Sequence, residues 1–257
     1  AAIDARTLAL RMPEENQPRE VRSLSTTLNG LLGRLESAFE RERRMTANIA
    51  HELRTPVAEL SLASEIAAKW SDDPEIIQGL VTATRDVSRR MHRIVAGLLH
   101  LARIEAGKES VDAEPIQIDE MIAQVWHGLE PQAAERGLQF DVNGHKALIE
   151  TDRALLALIV TNLLENAVTH SPPHSRIASR LKDTGSDVRW TLSNTAAGLT
   201  EEDLAHLTEP FWRKSDSRAD QSHSGLGLAF ADSLAALLGG RLTFERPDAM
   251  LNLTMTL

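Results

Sequence analysis

Arg43-Arg44-Met45-Thr46-Ala47-Asn48-Ile49-Ala50-His51-Glu52-Leu53-Arg54-Thr55-Pro56 is the stretch whose reading decides the rest of the chain. Ile49, Leu53, Val57 and Leu60 recur at steps of three and four, so a helix with one apolar stripe is expected. His51 lies two residues from both Ile49 and Leu53, which turns it away from that stripe, towards solvent or a docking partner. An unperturbed imidazole titrates close to neutral pH, where one ring nitrogen carries a lone pair. That nitrogen can attack an electrophile such as a phosphoryl group, while a carboxylate on the other N–H fixes the tautomer and stabilises the developing imidazolium. Glu52 is the candidate for that second role. Neighbours on a helix diverge by about 100°, so the pair needs particular rotamers. An exposed His-Glu pair is also what ordinary solvated helix surface looks like, and the rest of the chain has to decide between the two.

Upstream, Pro13-Glu-Glu-Asn-Gln-Pro18 reads as a connector. From Val21 a heptad seam begins, through Leu24, Leu28, Leu31, Leu35 and Ala38, of the kind two helices bury against each other. The seam is expected to run on to about Trp70, with a kink after the histidine because Pro56 has no N–H. Ser71-Asp-Asp-Pro74 is a turn with a helix-start signal. The next helix carries Ile76, Leu80, Ala83, Val87, Met91 or Ile94, Leu98 and Leu101 and ends near Gly107. Two antiparallel helices with one stripe each cannot bury both stripes alone. A homodimeric four-helix bundle does so; a hairpin packed on its own domain is the blander alternative. His92 and His100 are open to metal ligation or to an ordinary place on the helix surface, and Arg89, Arg90 and Arg93 to a solvated face or a docking surface for an acidic partner.

Composition narrows the classes. The 257 residues suffice for two compact units, and 42% hydrophobic with 25% charged residues suits globular structure. A formal net charge of -9 excludes a generalised nucleic-acid binder. No cysteine is present, so disulfides and thiolate metal sites are excluded. No apolar run reaches the roughly 18 residues that span a bilayer. After the linker Gly107 to Pro115, strands and helices mix. Short strands are expected at 116–118, 138–142, 147–150, 176–181 and 188–192, and helices at 119–136 (capped by Asp119), 155–168 (capped by Asp152) and 226–238. A closing hairpin, 241–245 with 251–257, completes an α/β domain of one sheet covered by helices on one face.

Four later segments carry a second set of signals. Asn162-Leu-Leu-Glu165-Asn166 puts two carboxamides four apart on one face of an otherwise apolar helix, offering oxygens to a hydrated Mg²⁺ and N–H donors to phosphate. Leu192-Ser-Asn194-Thr-Ala196-Ala-Gly198-Leu, Glu209-Pro-Phe211-Trp212-Arg213-Lys214-Ser-Asp-Ser-Arg218 and His223-Ser224-Gly225-Leu226-Gly227-Leu228 follow in order. Glycines before a helix let backbone approach phosphate, and the helix N-terminus favours anions.

Taken with Phe39 to Pro56, these segments resemble, in order, the H-box, N-box, adenine box, F-box with lid, and last glycine box of bacterial sensor histidine kinases. Pro18-Arg-Glu20-Val-Arg-Ser-Leu24 with Leu28-Asn29 and Leu31-Leu32 is similar to the second half of a HAMP signal-transmission module. The resemblance covers Val21 to Leu257. It implies a partial HAMP module and signalling helix (1–40), a dimerisation and histidine-phosphotransfer domain (41–107), a linker (108–114) and a Bergerat-type α/β ATP-binding domain (115–257). The fold is thus multidomain: an antiparallel helical hairpin forming a dimeric four-helix bundle, then an α/β sandwich.

The resemblance also implies roles. His51 would receive the γ-phosphoryl of ATP·Mg²⁺ with Glu52 assisting, then pass it to an aspartate of a response-regulator receiver domain. Thr55 would orient water for dephosphorylating that partner. Asn166 would hold Mg²⁺ and Asn162 assist, while Asn194 and Gly198 would serve adenine. Arg213, Lys214 and Arg218 would meet the triphosphate charge, and Ser224, Gly225, Gly227 and Leu228 would line the phosphates. Phe211 and Trp212 are expected to anchor the lid rather than stack on adenine. This chain departs from the family at Asn194, usually aspartate, at Ala196, usually glycine, and at Thr169 and His170, usually a basic residue then an aromatic. The expected setting is the cytoplasmic portion of an inner-membrane protein with a transmembrane sensor upstream. A docking scaffold or phosphatase impaired in ATP binding, and a different ATPase on the same fold, are the rival readings.

Overall fold

The computed structural model describes residues 11–12, 19–70, 73–106, 110–144, 146–196, 198–214 and 225–257. The chain divides into two compact units, Ala1–Thr84 and Arg85–Leu257.

The first unit is built on α1 (Arg19–Lys69), a single helix that runs on through Pro56. Proline lacks an N–H, so the Glu52 carbonyl, one residue past His51, loses its ladder partner there. The side chain of Asn29 brackets the backbone of Met12, accepting its N–H at 2.8 Å and donating to its carbonyl at 3.0 Å, and Arg11 pairs with Glu36. After Trp70, helix α2 (Pro74–Glu105) starts where the turn signal predicts: Asp73 Oδ1 accepts the N–H groups of Glu75 and Ile76, and Pro74 takes the first helical position.

The second unit takes in α2 from Arg85 on, and past it holds an antiparallel ribbon of β1 (Ala113–Gln117) and β3 (Leu148–Asp152). This ribbon is separate from the main sheet, so the expectation of one sheet is corrected to two. Helix α3 (Ile118–Glu135) follows β1 without a break. Its N-cap is Gln117, with no side-chain cap bond, and Asp119 falls inside the first turn instead of capping. The reason is local: the Ile118 N–H is already spent on the Ala147 carbonyl, just before β3, so the chain entering the helix is held there without a side-chain cap. Asp152 does cap α4 (Arg153–His170), accepting the N–H groups of Ala154 and Leu155.

The main sheet has the order β2-β4-β5-β7-β6, from β2 (Gln139–Gly144), β4 (Arg176–Asp183), β5 (Val188–Thr195), β7 (Met250–Thr256) and β6 (Arg241–Glu245). Only β2 and β4 run parallel; the remaining pairs are antiparallel. Alternate residues are buried along β4 (Ile177, Ser179, Leu181), β5 (Val188, Trp190, Leu192, Asn194) and β7 (Leu251, Leu253, Met255), so one face of the sheet makes the core. Helix α4 packs there with α3 on one flank and α6 (Gly227–Leu237) on the other. A one-turn helix, α5 (Glu201–Leu204), was not expected.

Candidate functional site

His51 lies in the first unit and the remaining candidates, apart from Glu52 and Thr55, in the second. On α1 the His51 side chain is exposed, Glu52 and Thr55 are half-buried and Pro56 is buried. The imidazole is therefore open to an incoming reagent, as its offset from the apolar stripe predicts.

In the second unit, α4 is apolar nearly all round, and Leu156, Ile159, Val160, Leu163 and Leu164 are buried. Among its polar residues, Asn162, Glu165 and Asn166 are half-buried. The Asn162 amide nitrogen donates to the Leu158 carbonyl at 2.8 Å, which fixes the carboxamide and turns its oxygen outward from the helix. That oxygen faces Gly227, where a Cβ would sit 3.1 Å from it. Two motifs separated by about sixty residues thus meet, because α4 and α6 pack side by side and residue 227 is small. The Asn166 side chain takes part in no hydrogen bond among the described residues.

Asn194 closes the core row of β5, level with Ile177 on β4 and Leu251 on β7. It is 4% exposed, a polar group at the end of an apolar row. Burying a carboxamide costs free energy unless it is paired. Its nitrogen donates to the Thr195 carbonyl at 3.2 Å, which leaves the oxygen as an acceptor for a ligand donor. Beyond β5 the chain turns: the Ala196 N–H goes to the Ala249 carbonyl at 2.8 Å, and the Leu199 N–H returns to the Ala196 carbonyl at 3.0 Å.

Backbone joins the two ends of the segment expected to form the lid. The Phe211 N–H donates to the Gly225 carbonyl at 2.9 Å, and both residues have left-handed φ, 66° and 68°. A Cβ at residue 225 would lie 2.8 Å from the Trp212 carbonyl oxygen, so glycine is required there for space as well as for conformation. Trp212 stacks on His206, and the His206 Nδ1 is 3.0 Å from Glu209. Phe211 and Trp212 are half-buried at the lid base. Arg213 is half-buried beside them; Arg218 and Ser224 lie outside the described residues.

Lys214 is engaged within the protein. Its ammonium donates to Asp203 Oδ2 at 2.7 Å and to the Gly198 carbonyl. Asp203 belongs to a capping box with Thr200: Oδ2 accepts the Thr200 N–H at 2.7 Å, and Thr200 Oγ1 accepts the Asp203 N–H at 3.3 Å. The Lys214 ammonium first, and the Thr200 N–H second, hold the Asp203 carboxyl down at about 2. Neither the helix start at Thr200 and Asp203 nor its link to Lys214, eleven residues on, was expected from the sequence.

Helix α6 begins at Gly227, and its first-turn N–H groups have no earlier turn of the helix to bond. Leu228 contributes such an N–H while its side chain is buried. Elsewhere His92 is exposed on α2, and the side chains of His100, Arg90 and Arg93 lie outside the described set. Among the described residues no group of three His, Cys, Asp or Glu side chains could hold a metal ion, and no helix is long and apolar enough to cross a membrane.

Comparison with known proteins finds two matching segments. Residues 41–107 match the His Kinase A (phospho-acceptor) domain, and residues 151–257 match the histidine kinase-, DNA gyrase B- and HSP90-like ATPase family. The sensor protein QseC of Escherichia coli is 31% identical over 261 residues, covering 96% of this chain and 56% of that protein. The swarming motility regulation sensor protein RssA of Serratia marcescens is 33% identical over 255 residues, covering 93% and 52%. This chain thus spans about half the length of such relatives. Among solved structures, the Acinetobacter baumannii histidine kinase AdeS superposes with a TM-score of 0.66 at 18% identity, over 80% of this chain and 96% of that one. Histidine kinase ThkA, solved in complex with the response regulator protein TrrA, gives 0.65 at 19% identity, over 87% and 65%. A helical phosphoacceptor segment, an α/β ATPase unit and these relatives together make the chain a member of the bacterial two-component sensor histidine kinases, of which it spans the phospho-acceptor and ATP-binding portion.

Proposed function

We propose that this chain phosphorylates His51 from ATP and passes the phosphoryl group to an aspartate of a response-regulator receiver domain. The observation that carries this reading is the meeting of Asn162 with Gly227, two separate nucleotide motifs in contact, in a chain that also exposes His51 before Glu52. In the proposed step a ring nitrogen of His51 bonds to the γ-phosphorus. The bond from that phosphorus to the β,γ-bridging oxygen breaks, and ADP leaves with the electron pair. Positive charge develops on the imidazole, and Glu52 holds the proton on the opposite ring nitrogen. Asn194 accepts from the adenine amino group, while Gly225 and the N–H groups of Gly227 and Leu228 receive phosphate oxygens, with Gly198, Ser224, Arg213 and Arg218 completing the cradle.

The residues fit a Mg²⁺ that arrives on the triphosphate. Such an ion keeps several waters and takes one or two protein oxygens, so no carboxylate cluster is needed. Asn166, whose side chain is uncommitted among the described residues, would supply one oxygen. Asn162 would assist through the oxygen that its bond to Leu158 leaves over. When bound, the ion neutralises charge on the phosphoryl oxygens.

Further parts of the proposal follow from the domains matched. The exposed stripe of Leu24, Leu31 and Leu35 supports a homodimer. The domain limits 1–40, 41–107, 108–114 and 115–257, the upstream transmembrane sensor, an inner-membrane setting and a phosphatase role for Thr55 belong to the same reading. Relatives about twice as long support a larger sensor protein. The second reading, a scaffold or phosphatase that only docks the regulator, is favoured by one observation: Asn194 brings no charge to adenine.

Purified protein incubated with γ-labelled ATP and Mg²⁺ tests the proposal. Wild type should take up label and His51→Gln should fall to background. Folded wild type that stays unlabelled would favour the scaffold, and steady hydrolysis unaffected by His51→Gln would favour an unrelated ATPase. With a phosphorylated receiver domain, Thr55→Ala should keep labelling and slow dephosphorylation; an unchanged rate would remove Thr55 from the mechanism.

A further inference from the structure

Lys214 sits in a run of cations that the lid would be expected to turn towards a triphosphate, yet its ammonium is bound to protein oxygens. It reaches the Asp203 carboxylate at 2.7 Å and the Gly198 carbonyl at the same time. The two charged side chains are 25% and 19% exposed, so this pair is better shielded than the solvated surface pairs that contribute little. Asp203 is itself fixed, since the Thr200 N–H donates to the same Oδ2 and the Asp203 N–H returns to Thr200. A single ammonium therefore ties together three places: the turn that follows Asn194, the start of α5, and the base of the lid.

That turn needs an external tie. Ala196 occupies the position where the family pattern has glycine, and the backbone there is held by two hydrogen bonds, to Ala249 and from Leu199. Gly198 stands in open space, where an added Cβ would meet nothing within 4 Å, so packing does not fix it. The Lys214 bond to its carbonyl does. We infer that Lys214 is a positioning residue for the adenine end of the nucleotide site, locking the turn after Asn194 to the lid base through Asp203, and is not a ligand of the triphosphate. The inference rests on the reading that Asn194 receives adenine.

Adenosine and ATP distinguish the two roles, because adenosine has the base and no phosphate. Affinities of both should be measured by calorimetry on the 257-residue chain as wild type, Lys214→Met, Asp203→Asn, the double variant and Lys214→Arg, with thermal unfolding of each. Asp203→Asn keeps an oxygen for the Thr200 N–H and removes only the charge, so it tests the latch even if Lys214→Met folds poorly. Each single variant should weaken adenosine and ATP by the same factor, about fivefold for one shielded charge-assisted bond. The double variant should be no weaker than Lys214→Met alone, since that variant already removes both bonds of the ammonium, and Lys214→Arg should recover part of the loss. Weakened ATP with unchanged adenosine in Lys214→Met would make Lys214 a phosphate ligand and overturn the latch. Unchanged affinities in Asp203→Asn would overturn it too. A folded wild type that binds neither ligand would instead sink the nucleotide reading, and the inference with it.

Discussion

Helices α4 and α1 both repeat apolar residues every three or four positions, yet they meet water very differently. Leu156, Ile159, Leu163 and Leu164 on α4 are at most 1% exposed, whereas Leu24, Leu31 and Leu35 on α1 are 58%, 49% and 43% exposed. Helix α4 is apolar around most of its circumference because the sheet, α3 and α6 all lie against it. Helix α1 has one narrow seam, and within a single chain that seam is left open. The α/β unit is a core complete in itself; the long helix carries an exposed apolar surface that the proposed dimer would cover. Substitutions should therefore act on stability in the first case and on association in the second.

The largest effect is expected in the complete core. Trp190 is fully buried on β5, and its indole N–H donates to Ser179 Oγ on β4 at 2.9 Å. Trp190→Ala opens a cavity and strands a buried hydroxyl, at a cost of about 3–5 kcal/mol. Urea unfolding followed by circular dichroism should show the loss in the transition of the α/β unit. A cost below about 1 kcal/mol would mean that this core is not closed in the way its burial pattern says.

The open seam should behave in the opposite way. Leu31→Lys replaces an exposed leucine and should shift the chain's own unfolding by no more than about 0.5 kcal/mol. In a dimer built on the seam the same change buries a charge against apolar partners. Sedimentation equilibrium at micromolar concentration should then find wild type dimeric and Leu31→Lys shifted towards monomer. A variant as dimeric as wild type would dissolve the contrast between the helices.

The two regions also differ in how far sequence could be read. The strands expected at 176–181, 188–192 and 251–257 fall close to β4, β5 and β7, each of which has one buried and one open face. Asp119 misled, since a side chain suited to capping says nothing about whether a neighbouring strand has already satisfied the N–H groups. The β1–β3 ribbon escaped for a related reason: its pairing is set by register between distant segments and leaves no local periodicity. At the candidate site, the resemblance to sensor histidine kinases pointed to Asn162, Asn166, Asn194 and Gly227. The contact of Asn162 with Gly227 and the grip of Lys214 on Asp203 depend on which helices and turns become neighbours, and only the folded chain supplies that.

A modest effect is expected where a sequence signal and a tertiary contact coincide. Asp152 caps α4 through Ala154 and Leu155, and its other oxygen accepts the Asp112 N–H at 3.0 Å, so one carboxylate joins the helix start to the chain entering β1. The Leu155 N–H contributes most to pulling this carboxyl below its ordinary value of 3.8, followed by the N–H groups of Asp112 and Ala154, against an opposing effect of burial. Because the folded pKa is depressed, the stabilisation is fully present above the unfolded value and is lost as pH falls through the folded one. Asp152→Ala should cost about 1 kcal/mol at pH 7. The gap to wild type in urea midpoints should close as pH drops below about 4. Asp152→Asn keeps an acceptor and has nothing to titrate in that range, so its gap to Asp152→Ala should stay constant. A wild-type gap that ignored acid would mean that the bonds to Asp152 do not depend on its charge, and that α4 is held in place by burial alone.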